Sequence, residues 1–244
     1  MCVIAIKPNN VKISKHTVSL MYAANPHGAG FGIVRGDHTF ISKGYFSVEE
    51  LWKDINKLQK EELVIHFRWA THGSKTAEMC HPFVVVTDET DATQCQGEII
   101  DPVFFHNGVI NGYGNKTISD TCDFAMNVLA RLPSVDDMNL LLTHISSAFV
   151  ITHDGKVHVT GDFEEYKGLF VSNTFFDWTF NNEVTLPSRK ISTSNNNRIS
   201  DCPILTEQTD SFSNWLDDLH SFEGHKESKP KTLKAVSRRV KKYS

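Results

Sequence analysis

Short apolar runs bounded by turn residues lie on both sides of a helical block, and this order constrains the fold more than any other feature of the chain. Residues 2–6, 31–34, 38–42, 63–67, 83–87 and 103–105 read as strands. Residues 148–152, 157–160 and 168–172 resume the pattern after the block. Arg35-Gly36-Asp37 and Asp154-Gly155 are hairpin turns between neighbouring runs. The helical segments have their own signals. Ser14 caps a helix that Asn25-Pro26-His27-Gly28 stops, and Ser47 with Glu50 forms a capping box. Residues 120–132 carry Phe124, Val128, Leu129 and Leu132 on one face, and residues 138–145 form a further helix. Strands on both sides of a helical block predict two sheets with helices outside them, a layered α+β architecture.

The chain has 244 residues, long enough to bury a core without disulfides or a structural metal. Its five cysteines are odd in number, irregularly spaced and without a CxxC pair. A disulfide framework is therefore not expected, and a reducing cytoplasm is. No apolar run is long enough to cross a membrane, so no membrane partner is expected. The strand and helix patterns weaken after Trp178. We expect a main domain over residues 1–185 and an appendage over 186–225, with one short helix carrying Phe212, Trp215, Leu216 and Leu219. Residues 226–244 hold eight lysines and arginines against Glu227 alone. This basic tail reads as a flexible, solvated segment, and its charge also suits nucleic acid.

Four pieces carry chemistry. Cys2 follows a Met that an aminopeptidase removes before a small residue. The processed chain then has a thiol and a free α-amine on one residue. That amine has a reference pKa of about 7.7–8.0 and can serve as base for its own thiol. The second piece, His66-Phe-Arg-Trp-Ala-Thr-His-Gly73, sets Arg68 at the end of a strand, where a guanidinium can grip a carboxylate by two hydrogen bonds. The third, Phe104-Phe-His-Asn-Gly108, delivers Asn107 and Gly108 as adjacent N–H donors suited to an oxyanion. The fourth, Ser119-Asp120-Thr121, opens a helix; Asp120 can cap that helix or bind an ammonium.

In this order the four pieces resemble the class II, N-terminal nucleophile (Ntn), glutamine amidotransferases. That family reads Cys, R-x-A-T-H-G, N-x-H-P, H-N-G and S-D-T; the counterparts here are Cys2, Arg68 to Gly73, Cys80-His81-Pro82, His106-Asn107-Gly108 and Ser119-Asp120-Thr121. Asn25 to Phe31 and Lys43-Gly44-Tyr45-Phe46 resemble a small stand-alone branch found in bacteria and their viruses. The resemblance covers roughly residues 2–180. Val3, Met79 and Cys122 depart from the Gly, Asn and Glu usual at their places.

The resemblance implies a four-layer αββα sandwich of the Ntn-hydrolase type, with two antiparallel sheets between helical layers. It implies Cys2 as nucleophile and its α-amine as base. Arg68, helped by Thr71 and His72, would hold the α-carboxylate of L-glutamine, and Asp120 its α-ammonium. Trp69 would sit on the loop that closes over the site. Asn107 and Gly108 would stabilise the tetrahedral oxyanion. It implies no cofactor and no metal. The released ammonia would go to a separate synthetase, or the chain would act as a glutaminase or γ-glutamyl transferase itself, in the cytoplasm of a bacterium or of a virus's host. Three rivals differ from this. One is an Ntn hydrolase of other amides. Another is a catalytically degenerate Ntn-fold module that binds protein or nucleic acid. The third is a metal site built from His66, His72, Cys80, His81 and His106, which lack the short spacings of structural zinc ligands.

Overall fold

The computed structural model describes residues 2–178 and the backbone of 190–192. Apart from those three residues, the expected appendage helix and basic tail lie outside the described residues.

Eight strands form one antiparallel sheet. In spatial order they are β12 (Lys190–Ser192), β10 (Asp162–Tyr166), β11 (Leu169–Val171), β1 (Val3–Lys7), β4 (Leu63–Phe67), β2 (Ala29–Arg35), β3 (His38–Tyr45) and β6 (Gln96–Ile99). Four more form a second sheet, in the order β5 (Phe83–Val84), β7 (Val103–Asn107), β8 (Ala148–His153) and β9 (Lys156–Thr160). Both expected hairpins are present, as the β2–β3 and β8–β9 pairs.

Strand alternation explains how the sheets stack. Ile4 and Ile6 of β1, Ile41 of β3 and Val64 of β4 pack against Val103 and Phe105 of β7 and Val150 of β8. This is the core between the sheets. The intervening β7 residue, Phe104, points the other way, together with Phe149 and Ile151 of β8. They meet Phe124 and Ala125 of α4 (Asp120–Asn127) and Met138 and Leu142 of α5 (Val135–Leu142). On the far side of the large sheet, α2 (Val48–Ile55) lies against β3, and α1 (Lys15–Ala24) against α2. Val18, Met21, Leu51 and Ile55 are their buried apolar residues. The layers therefore run helix, sheet, sheet, helix, as expected.

Two caps read from sequence are in place: Ser14 Oγ accepts from Thr17 N–H and Ser47 Oγ from Glu50 N–H. At the helix from Asp120 the cap is Ser119, whose Oγ accepts from Cys122 N–H, and not Asp120, which is the first helical residue. Two helix boundaries differ from expectation. The helix from Asp120 ends at Asn127 and continues only as a 3₁₀ turn over Leu129–Arg131. α5 begins at Val135 because Ser134 caps it, accepting from Asp137 N–H. Strands β6 and β10 and the short helix α3 (Glu89–Ala92) were not expected.

Candidate active site

The register of the large sheet brings the first residues together. β1 and β4 pair with Val3 opposite Phe67, so the next step sets Cys2 beside Arg68 and Trp69. Trp69 N–H donates to Cys2 Sγ at 3.2 Å, and the thiol donates to Trp69 O at 3.5 Å. Cys2 is half-buried. Its carbonyl accepts from Asn173 Nδ2 at 2.9 Å, just past the end of β11. Enclosure pushes the Cys2 thiol pKa up. The Trp69 N–H and the Arg68 guanidinium oppose that rise, and Asp120 adds to it. A thiol held this way keeps its proton at rest and needs a base to become a nucleophile.

Arg68 follows β4 and is only 2% exposed. Its Nη1 donates to Ser74 O at 2.7 Å and its Nη2 to His72 O at 2.9 Å. Two of five guanidinium hydrogens are thus used on the loop, and the Cys80 thiol is a further hydrogen-bond partner of the guanidinium. Burial lowers the Arg68 pKa, while the Cys80 and Cys2 thiols and Asp120 counter it. The segment from Arg68 to Lys75 forms a strap over one side of the site. Gly73 N–H donates to Asn115 O at 2.9 Å, and Ser74 N–H to Thr117 O at 3.1 Å. Gly73 has φ +75°, and a Cβ there would stand 2.7 Å from Ser119 N. Only glycine lets the strap approach the start of α4 so closely.

Asp120 is the first residue of α4 and is 5% exposed. Its Oδ2 accepts from Ile110 N–H at 2.8 Å and its Oδ1 from Thr121 N–H at 2.9 Å. The helix start thus accounts for where the carboxylate sits, and each oxygen keeps acceptor capacity.

At the end of β7 the alternation divides the Asn107 and His106 side chains. His106 faces α4, where its Nδ1 lies 2.9 Å from Thr121 Oγ1. Asn107 faces the space between the sheets, where its Nδ2 donates to Ser172 Oγ at 2.9 Å. Ser172 Oγ also accepts from Ile4 N–H at 2.9 Å, so one hydroxyl ties β1 and Asn107 together. Asn107 Oδ1 is buried without a partner. Gly108 leaves no room for a side chain, since a Cβ would lie 2.1 Å from Ser147 Oγ and 2.8 Å from His106 Nε2.

One small open cleft joins these groups. Of the expected residues, Cys2, Arg68, Trp69, Thr71, His72, Gly108 and Asp120 line it. Asn107 does not; it is buried behind the cleft against Ser172. His81, His106, Ser119 and Thr121 also line the cleft; the resemblance assigns them no catalytic or substrate-binding role, and His81 and His106 enter only the rival metal site. The His66 and His81 rings stack at 3.8 Å, and His66 Nε2 donates to His106 O at 3.0 Å. Burial holds these rings neutral, lowering His66 to about 3, His106 to about 4 and His81 well below the ordinary 6.5. Among the described residues, no group of three or more His, Cys, Asp or Glu side chains is arranged to hold a metal. Nor is any described helix long and apolar enough to cross a membrane.

The chain matches no protein-family model and no curated protein. It is similar to solved structures. One is glutamine phosphoribosylpyrophosphate amidotransferase from B. subtilis complexed with ADP and GMP, at 18% identity and a TM-score of 0.44. Another is an allosteric regulatory enzyme of purine biosynthesis, at 17% identity and a TM-score of 0.45. Each match covers 70% of this chain and 41% of the other.

Proposed function

We propose that this chain is a glutaminase of the class II amidotransferase type, with processed Cys2 as nucleophile. One observation carries the reading: a thiol, a buried guanidinium and a buried carboxylate, from three remote parts of the chain, line one small cleft. Glutamine is a zwitterion with a neutral amide at its far end. Arg68, with the guanidinium hydrogens that the loop carbonyls and Cys80 leave over, pairs with its α-carboxylate, while Asp120 pairs with its α-ammonium. Those two contacts fix which carbonyl meets Cys2.

The reaction proceeds in two steps. The Cys2 α-amine, freed by removal of Met1, takes the thiol proton. Sulfur attacks the side-chain carbonyl carbon, and the oxygen becomes an anion. The Gly108 N–H, on the cleft wall, stabilises that anion, and Asn107 joins it only by turning its amide from behind the cleft toward Cys2. An amide nitrogen carries two hydrogens and the bond to Ser172 uses one, so Asn107 keeps a donor for this role. The C–N bond then breaks, and the proton held by the α-amine leaves with nitrogen as ammonia. Water attacks the γ-glutamyl thioester and gives glutamate and free thiol; an amine in place of water gives γ-glutamyl transfer. A separate synthetase is the partner that would consume the ammonia.

Intact mass with 6-diazo-5-oxo-norleucine, a glutamine-shaped electrophile, tests this reading. We expect loss of Met1 and a single adduct that is absent in Cys2→Ala. Retained Met1, or a processed chain that forms no adduct, contradicts it and favours a binding module.

A further inference from the structure

His27 lies outside the cleft lining yet touches the strap at four places. Its backbone N–H donates to Arg68 O at 3.0 Å. Its ring packs on Trp69 with centroids 4.8 Å apart. Its Nδ1 accepts from Ala70 N–H at 3.0 Å, and Lys75 Nζ stands 2.9 Å from its Nε2. The residue it grips through Trp69 is the one whose N–H and carbonyl hold the Cys2 thiol. The sequence placed His27 in a helix stop and in the stretch that resembles the small stand-alone branch, and gave it no role.

Both ring nitrogens face hydrogen donors. A neutral imidazole can accept at one of them, and a protonated imidazole at neither. Protonation therefore turns the Ala70 contact into two donors facing each other. The charged groups acting on the ring are Lys75 and Arg68, both cations of the strap, and Phe46 packs beside the adjoining Gly28.

We propose that His27 is a positioning residue of this site: its neutral ring holds Trp69 and Ala70 against Cys2, and its protonation releases them. The proposal rests on Cys2 being the nucleophile only for its effect on rate. Burial, Lys75 and Arg68 all hold the His27 pKa below the ordinary 6.5, so the strap stays latched at neutral pH.

The test uses two readouts between pH 7.5 and 5, with far-UV circular dichroism checking that the chain stays folded. The first is Trp69 emission, taken as the difference between wild type and Trp69→Phe. The second is the rate of adduct formation with 6-diazo-5-oxo-norleucine. In wild type, emission changes with a midpoint below 6.5 and the rate falls along the same limb. His27→Asn keeps an acceptor near Nδ1 but does not titrate. It abolishes the emission transition and keeps a rate within about three-fold of wild type at pH 7.5. His27→Leu, which has no acceptor, slows the reaction about ten-fold, the scale of one lost hydrogen bond. His27→Gln repeats the test should His27→Asn fail to fold. An emission transition that persists in the non-titrating variants, or is missing in wild type, overturns the proposal. A transition with no adduct at any pH would contradict the glutaminase reading and leave His27's latch intact.

Discussion

On one side of the cleft stand the first turn of α4 and the end of β7; on the other stands a loop, residues 68–75. On the first side Asp120, Thr121 and His106 are buried and bonded to backbone or to each other, over an apolar core of Phe104, Phe124 and Phe149. The strap has no such floor. Trp69 is 45% exposed and Thr71 is exposed, and beyond the buried Arg68 the segment is positioned by hydrogen bonds and the His27–Trp69 ring contact. A wall rooted in regular structure opens only with the whole domain, whereas one tied by exposed hydrogen bonds opens locally. In the proposed reaction the strap therefore admits and covers the substrate, and the α4 wall gives a fixed point of charge.

The largest expected effect sharpens the picture of the buried wall. His66, His81 and His106 have folded-state pKa values below the unfolded 6.5. Between 6.5 and about 3–4 the unfolded chain binds protons that the folded chain refuses. Stability is complete above 6.5 and falls with decreasing pH, by about 1.4 kcal/mol per unit for each ring that stays neutral. Urea unfolding from pH 7 to 4.5 should show a steep loss, and His81→Phe should flatten it. An unchanged midpoint across that range would contradict a neutral buried cluster.

Paired substitutions on the two walls come next. Asp120→Ala leaves the Ile110 and Thr121 N–H groups unpaired in a buried place and should cost about 2–4 kcal/mol in denaturant unfolding. Arg68→Ala frees the His72 and Ser74 carbonyls, which can turn to water, and should cost about 1–2 kcal/mol. Both should slow the glutamine analogue by about 100-fold or more, since each removes a charge partner. Equal stability losses would erase the proposed difference between the walls.

Much of the site was legible because its chemistry sits at strand ends and a helix start. Arg68 follows an apolar strand, Asn107 ends another, and Ser119 caps α4 before Asp120. The parts that were not legible depend on contacts between distant segments. Ser172 and Asn173 reach Asn107 and Cys2 only because β11 pairs with β1, and no local pattern marks them. β6 pairs with β3 alone at the sheet edge, so its mostly polar sequence needs no apolar run. β10 buries Phe163 and Tyr166 three residues apart, which breaks a period of two. Ser134 and Asp137 mark the start of α5, a local signal that the apolar residues from Met138 to Ile145 do not carry.

A smaller effect tests how the strap docks. Gly73→Ala meets both a positive φ and Ser119 N, at a cost of about 1–2 kcal/mol. Hydrogen exchange should quicken over residues 69–75 and stay unchanged in α4. Smallest of all, Trp69→Ala should change global stability by no more than about 0.5 kcal/mol while slowing adduct formation. A large loss of stability would place Trp69 in the structural core instead of on a mobile cover.

The central claim is that Cys2, once Met1 is gone, reads glutamine through Arg68 and Asp120. Intact mass spectrometry after exposure to 6-diazo-5-oxo-norleucine tests it most directly, with Cys2→Ala and Arg68→Ala beside the wild type. The account predicts a processed wild-type chain with one adduct, none in Cys2→Ala, and strongly slowed labelling in Arg68→Ala. A chain that keeps Met1, or one labelled equally well without Arg68, would contradict it.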